Sequence, residues 1–126
     1  MISVKTIKRE GEVKFMGMAA TKVYCLCEDT SSQKRFIKMY SGYKLDKTTH
    51  VFKNEDSIEF VDAPSGLLIK KYNTKNMSEA IRLFNADENL KTKLEAARAK
   101  EGYPKFCEDT KVMIADYLKD LFKDKN

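Results

Sequence analysis

The hydrophobic period of this 126-residue chain changes once, near residues 73–76, and that change limits the folds open to it. Before it, apolar and polar residues alternate, as in Val23-Tyr24-Cys25-Leu26-Cys27 and Ser57-Ile58-Glu59-Phe60-Val61. After it, apolar residues recur at three and four, as in Leu90, Leu94 and Ala97, then Val112, Met113, Tyr117, Leu118 and Leu121. A period of two gives strands with one wet face, and a period near 3.6 gives helices with one apolar stripe. Strands followed by helices define an α+β domain, with a mainly antiparallel N-terminal sheet and C-terminal helices packed on it.

The expected elements are strands near 2–9, 12–16, 21–28, 34–41 and 57–61, with a sixth near 67–72. Ala63-Pro64-Ser65-Gly66 makes the last two a hairpin. Residues 41–52 read as a long loop. Asn76 with Glu79 forms a capping-box pattern that starts the helical half, and Asn85 with Glu88 repeats it at an expected break. Leu90, Leu94, Ala97 and Glu101 mark one face of the next helix, Gly102 suits its end, and Pro104 suits the first turn of the last one. Length and pattern imply a single domain over residues 1–126, strand-rich over 1–72 and helical over 77–122.

At 42% apolar and 34% charged residues, the composition is that of a folded, water-exposed protein. The longest apolar run, residues 15–20, is far too short for a bilayer, so no membrane partner is expected. Met1-Ile2-Ser3-Val4-Lys5 lacks a secretion signal's apolar stretch, and three cysteines are an odd number. Both point to a reducing, cytoplasmic setting. The net charge of +5 sits mainly before residue 74, where 13 Lys and Arg face 9 Asp and Glu; beyond it the count is 11 against 10. Such an excess suits an anionic partner or simply a well-solvated surface.

Chemistry is sparse. His50 is the sole imidazole, in Asp46-Lys47-Thr48-Thr49-His50, with no neighbouring motif to activate it. Cys25 and Cys27 share a strand face, but Cys107 and His50 stand at no zinc spacing, so core packing is the simpler role. The standard glycine-rich phosphate cradles are absent. No catalytic residue, metal site or cofactor is therefore expected, and the chain reads as a binder rather than an enzyme.

Two clusters carry the binding expectation. In Lys34-Arg35-Phe36-Ile37-Lys38-Met39-Tyr40, cations interleave with aromatics, so Arg35 and Lys38 are candidate phosphate contacts beside stacking rings. In Arg82-Leu83-Phe84-Asn85, Arg82 offers bidentate phosphate contacts, Phe84 a stacking face and Asn85 a donor–acceptor pair for a base edge. Phe36, Tyr40 and Phe84 equally suit a core.

A strand-rich half followed by helices in a chain of this length, with Arg82-Leu83-Phe84-Asn85 at the junction, resembles the phage-encoded Thoeris anti-defence sponge family. The resemblance spans the layout of the whole chain. It implies a phage or prophage origin, an oligomer, and a pocket shared between subunits that sequesters cyclic ADP-ribose-type signals without turning them over. The leading expectation is thus a homo-oligomeric, non-catalytic protein sequestering an anionic, nucleotide-like small molecule. The alternatives are a nucleic-acid-binding module on the basic strand half, and a protein-binding inhibitor or adaptor acting through the last helix.

Overall fold

The computed structural model describes residues 14–123. The strand expected over 2–9 lies outside the described residues, as does the start of the one expected over 12–16. Six strands pair in chain order: β1 (Lys14–Phe15), β2 (Met18–Glu28), β3 (Arg35–Lys44), β4 (Thr49–Lys53), β5 (Ile58–Asp62) and β6 (Leu68–Tyr72). Each neighbouring pair is antiparallel. Three helices follow, α1 (Met77–Ala86), α2 (Glu88–Arg98) and α3 (Tyr103–Lys123), so the class is α+β.

Residues 41–52 are not a loop. β3 continues to Lys44 and β4 occupies Thr49–Lys53. The strand escaped the period test because Val51 and Phe52 are both buried, and they belong to different clusters. A strand wet on neither face shows no alternation. β5 behaves alike: Phe60 and Val61 sit in separate clusters, and a register shift against β6 falls between them.

One cluster joins Val51, Ile58 and Phe60 of the sheet to Met77, Ala80 and Phe84 of α1. The Phe60 and Phe84 rings stack at 4.2 Å and 7°. Burying a phenylalanine side chain contributes about 2–3 kcal/mol, and a stacked pair adds about 1 kcal/mol. This pair therefore anchors α1 to the sheet. The other cluster gathers Val23, Phe52 and Val61, with Tyr40 stacked on Phe52 at 4.6 Å.

The sheet also folds back on itself. The Leu26 N–H donates to the Gly66 carbonyl at 2.7 Å, tying the β5–β6 turn to β2. Gly66 has φ +73°, and a Cβ there would lie 3.1 Å from the Leu26 nitrogen, so the turn depends on glycine twice over.

Asn76 caps α1 as expected, its side chain accepting from the Glu79 N–H at 3.0 Å. The break falls at Asp87 rather than Asn85. The Asp87 carboxylate accepts from the Leu90 N–H at 2.9 Å and starts α2. α2 ends at Arg98, short of the expected Glu101.

A candidate ligand-binding groove

The β5–β6 hairpin and the α2–α3 corner face each other across a groove of about 570 Å³. One wall is Leu67, Leu68 and Ile69; the other is Leu90, Leu94 and Ala97 of α2, with Phe106 of α3. α2 has no buried residue: Leu90 packs at the edge of the main core cluster, and Leu94 and Ala97 line the open space. Leu67 and Leu68 remain 46% and 53% exposed. A concave, mainly apolar space of this size matches ordinary small-molecule sites.

The polar end of the groove is built around Asp62, which is only 4% exposed. Arg98 Nε and Nη2 donate to its Oδ1 at 3.0 and 2.6 Å. The Tyr103 and Ser65 hydroxyls donate to its Oδ2 at 2.7 and 2.6 Å. Nη2 of Arg98 also reaches the Thr48 carbonyl at 3.3 Å. Burial alone would raise the Asp62 pKa, but the bonds from Ser65, Tyr103 and Arg98 and the Arg98 charge together hold it below the ordinary value. The Tyr103 hydroxyl is pushed well above its ordinary range by burial, then by the carboxylate it donates to. Tyr103 therefore stays a neutral donor.

This network satisfies the carboxylate fully and the guanidinium only in part. Nη1 of Arg98 makes no hydrogen bond among the described residues. Lys93 and Lys100 also line the groove, and neither forms an ion pair among the described residues. An apolar trough with an unspent guanidinium nitrogen and two ammonium groups can hold a molecule that has a flat or apolar body and an anionic group.

The five residues singled out in the sequence are not brought together. Arg35 and Lys38 differ by an odd number on one strand, so they occupy opposite faces of β3. Arg35 is exposed and lies over the Phe106 ring at 5.8 Å, which puts it next to a groove-lining side chain. Lys38 lies over Phe36, also at 5.8 Å, and Tyr40 is spent on Phe52. On α1, Arg82 and Asn85 are exposed while Phe84 is 7% exposed with its ring stacked on Phe60. Phe84 is thus a core residue, and a stacking face for a base is not on offer there.

The groove residues gave weaker signals. The helical spacing of Leu90, Leu94 and Ala97 was visible, but the pairing of Asp62 with Arg98 joins two charges 36 positions apart, which no local pattern reveals. Among the described residues no group of three or more His, Cys, Asp or Glu is placed to hold a metal ion. The Cys25 thiol is pushed up to about 12, by burial first and then by Cys27 and Glu59, so it is protonated at neutral pH. No described helix is long and apolar enough to cross a membrane. Set against models of protein families, curated proteins and solved structures, the chain matches none of them.

Proposed function

We propose that this protein is a non-catalytic binder that sequesters an anionic small molecule with a flat or apolar body in the groove between β6 and the α2–α3 corner. The observation that carries this reading is the groove itself: an apolar trough of about 570 Å³ with Lys93, Lys100 and Nη1 of Arg98 available to an anion. A nucleotide-like ligand is the form that the basic strand half suggests. Sequestration of a cyclic ADP-ribose-type signal, as an anti-defence sponge, is the narrower form implied by the resemblance in layout. Assembly of copies through α3 belongs to the same proposal and is supported by the exposure of Val112 and Phe122.

Calorimetric titration with AMP, ADP-ribose, cyclic ADP-ribose and uncharged adenosine tests it. The anionic compounds should bind and adenosine should bind at least tenfold more weakly. Joining Lys93→Ala to Lys100→Ala should weaken anion binding by about tenfold or more, as one lost charge-assisted bond already approaches that factor. Leu94→Glu should abolish binding by placing a carboxylate in the trough. Binding untouched by these changes would remove the groove as the site. Chemical change in any bound nucleotide would remove the non-catalytic reading.

A further inference from the structure

A second concave site shares none of the groove's lining residues. It encloses about 470 Å³ between Thr21, Lys22 and Tyr24 of β2 and Lys44, Asp46, Lys47 and His50 at the β3–β4 end of the sheet. Thr21 pairs with Gly42, and Lys44 pairs with His50, so three adjacent strands position it. We propose that this depression binds a small, multiply charged phosphate anion.

Its charge balance is the first argument. Three lysines line it against a single carboxylate. None of the three forms an ion pair among the described residues. The Asp46 carboxylate is turned into its own loop, its Oδ1 accepting from the Thr48 N–H at 2.9 Å and the Thr48 hydroxyl at 3.2 Å. These three lysines, set against one carboxylate committed to its own loop, leave an excess of positive charge along this depression that favours an anion.

The lining is the second argument. It contains no Leu, Ile, Val, Met or Phe, in contrast to the groove, and Tyr24 supplies its only six-membered ring. Its apolar surface comes from lysine stems and the Tyr24 ring rather than from aliphatic side chains, so charge rather than close packing has to fix the ligand. Lysines act as strongly hydrated point charges and suit the spherical charge of a phosphate rather than a planar carboxylate pair.

His50 lines this site and is the only histidine in the chain, so its ring C–H resonances report on the site without ambiguity. Pyrophosphate titrated at constant ionic strength should shift them saturably at submillimolar concentration. Lys44→Ala or Lys47→Ala should weaken the fitted affinity by roughly tenfold each, while Lys44→Arg should retain most of it. Leu94→Glu in the groove should leave this titration unchanged, so the two sites succeed or fail separately. Equal shifts from sulfate or chloride at matched ionic strength, or affinity indifferent to the lysines, would overturn the proposal. So would tighter binding of a thymidine oligonucleotide with a salt dependence of several released counterions, which would make the surface a nucleic-acid track.

Discussion

At Phe84 a single side chain decides between core and ligand. With its ring against Phe60, Phe84→Ala should cost about 3–5 kcal/mol. Its melting midpoint should fall sharply, while ligand binding per folded molecule stays as in the parent protein. Arg82→Ala and Asn85→Ala are exposed truncations and should move stability by no more than about 0.5 kcal/mol. Gly42 is constrained in another way. A Cβ there would lie 2.5 Å from the Val51 carbonyl oxygen and 2.6 Å from Val23 Cγ2. The first of these is backbone and cannot rotate away, so β3 and β4 must separate to admit an alanine. Gly42→Ala should cost about 1–3 kcal/mol as overpacking, lowering the thermal midpoint by roughly 5–15 °C for a domain of this size.

Among the elements, the α2–α3 corner relies most on one polar contact. Among the residues whose burial is described, α2 buries none and α3 only Thr110, whereas Arg98 and Tyr103 both converge on the buried Asp62. Asp62→Asn would leave Arg98, 26% exposed along its side chain, facing a neutral amide. We expect a loss of about 2–3 kcal/mol, under the figure for a fully buried pair because water still reaches the guanidinium. Hydrogen exchange should accelerate in α2 and early α3 more than in the sheet. Asp62 titrates below its ordinary value of 3.8 in the folded protein. Its stabilisation is therefore complete above that value and disappears as pH falls through the lowered one. Acid melts should show the parent protein losing part of its advantage over Asp62→Asn below about pH 4. The elements themselves were largely legible, because a change of period and a capping asparagine are local signals. β4 was hidden because both its faces are buried. The groove was hidden because it joins a hairpin turn to a helix end, and its charges find each other only after the sheet has formed. The expected cluster on β3 is divided by parity, which puts Arg35 on the face opposite Lys38, and by packing, which commits the Tyr40 ring to Phe52.

At the scale of the whole molecule, α3 carries a long apolar stripe that is only partly covered. Its 21 residues make a rod of about 30 Å, and Met113, Ile114, Tyr117, Leu118 and Leu121 are only half-buried. Val112 and Phe122 are 57% and 63% exposed. Apolar excess of this kind marks interfaces, so sedimentation should give a multiple of the 14.5 kDa chain mass. Phe122→Asp with Val112→Asp should lower that multiple without changing the circular dichroism. A single 14.5 kDa species at micromolar concentration in the parent protein would refute it. The order of the strands has a consequence of another kind, for synthesis rather than for binding. Each strand pairs with the one made just before it, so a chain leaving the ribosome can extend its sheet one ribbon at a time, with short loops to close and little searching. The exception is the bond from Leu26 to Gly66, for which the edge of β2 must wait until β3, β4, β5 and the turn after β5 have emerged. During that interval the edge is a bare template for another chain, and crowded polysomes are where this protein is most exposed to mispairing.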